Sequence, residues 1–209
     1  MLILAVDREI PITRHCVPPA RADAIRLAVQ RATSIDTETN RSRLARLDDT
    51  EAFMVFLSDP AVYAPIYTLP DPLTLASVHA FIARHIQERE AGQGLLFLTF
   101  DGADRLSGYS DVCLWPHWGA GELGGAIHPD RQSRGHGAKE AKRVINWMFE
   151  TLGLDLVCET ASLANFRTAR LLDGLGFTRE GEVISRSQSG QTRPSLVWEM
   201  TKENWVLNR

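Results

Sequence analysis

The chain has 209 residues, 44% of them hydrophobic and 23% charged, with a formal net charge of −3. Such a length is one domain, or one domain with an extension, and buries roughly 70% of its unfolded surface without disulfide or metal staples. The slight acidity excludes a general nucleic-acid binder, and no run approaches the ~18 apolar residues of a membrane helix. Cys16, Cys113 and Cys158 show no Cys-x-x-Cys spacing, which argues against a zinc site and for a reducing compartment. The apolar stretch Met1 to Val6 lacks a basic leader and runs into Asp7 and Glu9, so it is too short for a signal peptide. The expectation is a soluble, cytoplasmic domain with no membrane and no nucleic-acid partner.

Residues 1–36 read as an extension: Val17-Pro18-Pro19 precedes a helical stripe of Ile25, Ala28, Val29 and Ala32. Arg41 to Leu47 fits a short strand. Asp48 or Asp49 then caps a helix carrying Phe53, Val55, Phe56 and Leu57, stopped at Asp59-Pro60. A second helix runs from about Leu73 to Glu90, with Leu75, Val78, Phe81, Ile82, His85 and Ile86 on or near one face. Short apolar runs follow and predict strands at Leu95–Phe100, Leu106–Trp115 and Glu122–His128. A helix from Gly135 to about Leu152, a strand from Leu154 to Thr160 and a helix from Asn165 to Leu175 come next. Strands Thr178–Arg186 and Ser195–Met200 close the pattern around a Gln188-Ser189-Gly190-Gln191 turn. The order predicts a mixed α/β (α+β) layered domain over 37–202, with 203–209 as a tail.

One segment departs from the average charge. Between Asp130 and Arg143 five bases face two acids, a local +3, and two of the chain's three lysines lie there. The strand ending Ala126-Ile127-His128-Pro129 leads through Gln132-Ser133-Arg134-Gly135-His136-Gly137-Ala138 into a helix. A helix start offers unpaired N–H groups and the positive end of its dipole, and glycines at 135 and 137 let an anion reach the backbone. Lys139, Lys142 and Arg143 occupy turns where acids are usual, as expected if a bound anion supplies the negative charge. The bland alternative is a solvated helix face. No Gly-Lys-Ser/Thr phosphate loop is present. The Gly119-x-Gly121-x-x-Gly124 string is followed by more strand and not by a helix, so it fails the context of a dinucleotide site.

Gln132-x-x-Gly135-x-Gly137 after Ile127-His128-Pro129 resembles the acyl-CoA signature of the GNAT N-acetyltransferases. Asn165-x-x-Thr168, then Leu171-Leu172 and Gly174-Leu175-Gly176-Phe177, is similar to the family's second block. Arg41 to Pro60 further resembles the branch that acetylates ribosomal-protein N-termini (RimJ/RimL-like). The resemblance covers roughly residues 37 to 202. It implies a GNAT fold: a mixed, mostly antiparallel central sheet flanked by helices, with a splayed strand pair holding acyl-CoA. It implies acetyl-CoA as co-substrate with no metal, an amine acceptor that is a peptide N-terminus or a small molecule, and room for a homodimer. Pantetheine would pair with Ala126 to His128, pyrophosphate would rest on the amides of Gln132 to Ala138, and Asn165 would fix the pantetheine or a bridging water. A plain helix cap is the other reading of Asn165, and the two are compatible.

The reaction needs a neutral amine, so a base must take a proton. Glu122 shares one strand face with Gly124, Ala126 and His128 and is the candidate base; an exposed edge glutamate is the alternative. An N–H near Ile127 or His128 would meet the oxyanion. Many relatives carry a tyrosine where this chain has Leu172. Thr168, on the same helix stripe, is then the candidate proton donor to the leaving thiolate, against a purely local backbone bond. Cys158 reads as buried and apolar, His117 as a loop residue, and Trp115, Trp118, Tyr63 and Tyr67 as packing or an acceptor pocket. A non-catalytic acyl-CoA-binding module is the alternative function.

Overall fold

The structure is a computed structural model of the chain and describes residues 10–35, 41–131, 136–187 and 190–208. Seven strands form one sheet in the order β1-β2-β3-β4-β5-β7-β6. They are β1 (Arg41–Leu44), β2 (Gly94–Phe100), β3 (Leu106–Trp115), β4 (Ala120–Ile127), β5 (Leu156–Ser162), β6 (Thr178–Arg186) and β7 (Thr192–Thr201). Every neighbouring pair is antiparallel except β4 and β5. The helices are α1 (Pro19–Arg31), α2 (Thr50–Leu57), α3 (Pro60–Tyr63), α4 (Leu75–Glu90), α5 (His136–Glu150), α6 (Phe166–Gly174) and α7 (Lys202–Leu207).

Strand alternation gives the sheet two apolar faces, and each is covered. On one face, Ile25 and Val29 of α1 and Val144, Ile145, Met148 and Phe149 of α5 pack on Leu95, Phe97, Val112, Leu114, Val157 and Trp198. On the other, Phe53, Phe56 and Leu57 of α2 and Val78, Phe81 and Ile82 of α4 pack on Leu96, Leu98 and Tyr109. The helical stripe expected in the N-terminal extension is thus part of the main core. The expected tail forms α7, capped by Thr201 and anchored by buried Trp205.

Two local expectations are corrected. Asp49 occupies the N-cap position of α2 without capping it through its side chain. Its carboxylate instead takes both terminal nitrogens of Arg43 at 2.7 Å, and a charge-assisted bidentate pair outweighs a cap bond. Burial alone would raise the Asp49 carboxyl, yet the Arg43 and Arg46 contacts hold it below its ordinary value. The second helix starts at Leu75 and not at Leu73, because Thr74 and Ser77 form a reciprocal capping box there.

Candidate active site

Strand β4 pairs with β3 along its whole length, from Ala120 opposite Trp115 to Ile127 opposite Gly108. Its parallel pairing with β5 stops after two positions, Ala120 with Leu156 and Gly121 with Val157. Beyond Gly121 the two strands form a fork. The β5 groups bonded to β4 there are side chains: Leu123 N–H donates to Glu159 Oε1 at 3.0 Å, and Thr160 Oγ1 donates to Glu122 Oε1 at 2.7 Å. Glu159 is buried, and burial pushes its carboxyl well above the ordinary value; the charge of Glu122 adds to this and the Leu123 amide opposes it. The fork therefore holds a buried carboxyl that keeps its proton more tightly than an ordinary one, close to half-buried Glu122.

Directly opposed residues of an antiparallel pair share a face. Glu122 lies opposite Cys113, Gly124 opposite Asp111 and Ala126 opposite Tyr109, all on the α2/α4 side of the sheet. Asp111 is fixed by His85 of α4, whose Nε2 lies 3.0 Å from Asp111 Oδ1 while Nδ1 lies 2.8 Å from the Phe81 carbonyl. Both ring nitrogens face acceptors. Burial alone would lower the imidazole's affinity for its proton, but Asp111 and Glu88 raise it. Gly125, at φ 145°, is demanded by the fold: a Cβ would sit 2.3 Å from the Tyr109 carbonyl.

The predicted acyl-CoA residues divide into three groups. Ala126 and Ile127 end β4, whereas His128 N–H is directed to the Ser107 carbonyl of β3 at 2.8 Å and so does not face the fork. Gln132, Ser133, Arg134 and Gly135 lie outside the described residues. Helix α5 starts at His136, with Gly137 and Ala138 in its first turn and no acid there. Among the described residues a Cβ on Gly137 would meet only Ile127 Cδ1, at 3.7 Å, so their packing leaves room for a larger residue.

Across the fork, Asn165 caps α6, its Oδ1 accepting from Thr168 N–H at 3.1 Å. Thr168 is half-buried on that helix, and Leu172 is inside the core. Cys158 is fully buried, which pushes its thiol well up, with Glu122 the next cause; as read from sequence, it is no nucleophile.

Sequence reasoning did not single out Glu159, Thr160 or Asp111. A trace exists for Glu159: an acid inside Leu156-Val157-Cys158-Glu159 interrupts a buried apolar strand. Nothing local marked Arg193, whose guanidinium carbon lies 4.1 Å from the centre of the Tyr67 ring.

The model of the acetyltransferase (GNAT) domain matches residues 42–178. The chain belongs to the GNAT family. The GNAT domain makes it an acetyl-CoA-dependent acetyltransferase. No curated protein matches the chain. Among solved structures, it resembles the ribosomal-protein-S5-alanine acetyltransferase of Vibrio fischeri at TM-score 0.68 and 16% identity, over 83% of this chain and 99% of that one. It resembles RimL, the ribosomal L7/L12 α-N-protein acetyltransferase in complex with coenzyme A, at TM-score 0.68 and 13% identity, over 82% and 99%. Mycobacterium smegmatis RimJ in complex with CoA-disulfide gives TM-score 0.65 and 17% identity, over 78% and 82%. These likenesses show the shared fold. Among the described residues no helix is long and apolar enough to cross a membrane.

Proposed function

We propose that this GNAT domain acetylates a primary amine by direct attack on acetyl-CoA in a ternary complex. The observation that carries the reading is Glu122, a carboxyl group at the fork, oriented by Thr160 and close to a carboxyl that burial pushes well above its ordinary value. A carboxylate at that point attracts an ammonium group and can take its proton, directly or through a water. The acyl arm would lie in the fork along Ala126 and Ile127. The pyrophosphate would rest on the loop and first turn of α5, where a Cβ is missing at Gly137 and no acid stands. Asn165 would reach the pantetheine, and Thr168 would offer its proton to the departing thiolate. A thiol of pKa ~8.5 leaves tolerably well at neutral pH, so that last contribution is small. Three free cysteines suit a cytoplasmic setting.

A CoA-release screen against peptide N-termini, polyamines and aminoglycosides tests the reading. Amine-dependent thiol release that weakens in Glu122→Gln is expected. Release that ignores every amine would refute amine transfer.

A further inference from the structure

Arg193 of β7 is an arginine that makes no ion pair and leaves its buried Nε without a hydrogen bond among the described residues. Alternation along β7 puts Ser195, Val197 and Glu199 on the same face as Thr160 and Cys158, and Arg193 continues that row toward the open end of the fork. Its guanidinium carbon lies over the Tyr67 ring, 4.1 Å from its centre. Its Nε is buried and has no hydrogen-bond partner, and no carboxylate lies within 4 Å of it among the described residues. The Tyr67 hydroxyl is committed to the backbone carbonyls of Ser185 and Gln191, which pins the ring to the hairpin between β6 and β7. The guanidinium platform is therefore built in advance.

We propose that Arg193, held on Tyr67, reads an anionic oxygen group of the acceptor, so that the acceptor is an amine bearing a carboxylate. The inference rests on the transfer reading above and names its substrate class. Glu122 provides one end of the recognition and Arg193 the other, and Glu122 is near enough for its charge to act on Arg193. Burial lowers the affinity of Arg193 for its proton, with Tyr67 and Glu122 opposing. A guanidinium in that position gains most from a planar, bidentate carboxylate, which supplies a contacting charge and the missing hydrogen bonds. A polyamine or aminoglycoside would bring a second cation to Arg193 and is disfavoured. An amino acid and a peptide end can both carry a carboxylate near an amine, and the two are separated by experiment.

The test uses matched triplets: an amino acid, its amide and its decarboxylated amine, across several side chains, with dipeptides and their C-terminal amides as a second arm. Binding to the CoA-loaded full chain is followed by calorimetry, and acetylation by CoA release. In at least one triplet or dipeptide pair the acid should bind more than tenfold tighter than its amide. Arg193→Met should erase that difference while leaving CoA affinity and the melting temperature unchanged or the latter slightly raised, and Arg193→Lys should retain part of it. Equal binding of acids and amides, or a loss in Arg193→Met that strikes acids and amides alike, would overturn the proposal. Acid-selective binding without acetylation of any bound amine would instead sink the transfer reading. Acetylation of amines without preference for acids would sink the carboxylate subsite alone.

Discussion

Glu159→Gln isolates the buried carboxyl of the fork. Glutamine keeps the volume and the oxygen that accepts from Leu123 N–H, and removes the ionisable proton. The native carboxyl is raised by burial and by the neighbouring Glu122, so folding takes up a proton there. A group raised in the folded state stabilises fully below its unfolded pKa, here about 4.5, and that stability is lost as pH climbs toward the folded value. One proton makes the slope about 1.4 kcal/mol per pH unit. For a chain of this size that is a fall of about 3 to 5 °C in the melting temperature of the wild type, relative to Glu159→Gln, between pH 5 and pH 6. His85 is also raised, and its loss of stability begins only above its unfolded value of 6.5. It is present in both proteins and cancels in the difference. Thermal melts of the two proteins from pH 4.5 to 8 provide the measurement: the variant should be the more stable protein at pH 7 and should lose the advantage on acidification. Curves that stay parallel would refute proton uptake by Glu159, and with it the raised carboxyl near Glu122.

Glu122→Gln should lower kcat/KM by about 10²-fold, the scale of general-base loss, with the defect shrinking at high pH where more amine is neutral; a pH-independent loss in the rate profile would mean a positioning role. Gly137→Ala should fold at least as well as the wild type, since among the described residues a Cβ there meets nothing closer than 3.7 Å. Gly137→Val should weaken acetyl-CoA more than about tenfold while still melting cooperatively, and unchanged affinity by calorimetry would move the pyrophosphate elsewhere. Asn165→Ala should cost about 1 kcal/mol through the lost cap of α6, read by denaturant unfolding, on top of any loss of CoA affinity. Thr168→Ala should slow turnover only several-fold to tens-fold and Thr168→Ser hardly at all; equal steady-state rates for Thr168→Ala and wild type would remove the proton-donor role.

The elements with clear patterns were legible because their apolar residues are buried, along one stripe of each helix and on both faces of β2 and β5. The stripes of α4 and α5 and the apolar runs of β2, β3 and β5 are written by the core that receives them. Glu122 was picked out as the candidate base because its strand neighbours Gly124 and Ala126 are small, which leaves room beside it. Glu159 and Arg193 were not, and Tyr67 was seen only as packing or an acceptor-pocket aromatic, because their meaning lies in long-range contacts. Glu159 meets Leu123 across a separation of 36 residues, and Tyr67 meets the β6–β7 hairpin across 118. Asp49 misled for a related reason: a local capping rule lost to an arginine on the preceding strand.

The span over which this chain is recognisable as an acetyltransferase is narrower than the unit that must fold together. The matched residues, 42–178, stop at the first residue of β6. Strand β7, which lies between β5 and β6, falls outside, and so does α1, whose Ile25 and Val29 are sealed against Leu95 and Phe97. A fragment trimmed to the matched span would turn β5 into a bare edge and would uncover the floor beneath α1 and Trp198. Such a fragment would possess the fork-lining segments and lack the scaffold that holds them apart, so expression should aim for the outer boundary set by packing and not the inner one set by resemblance.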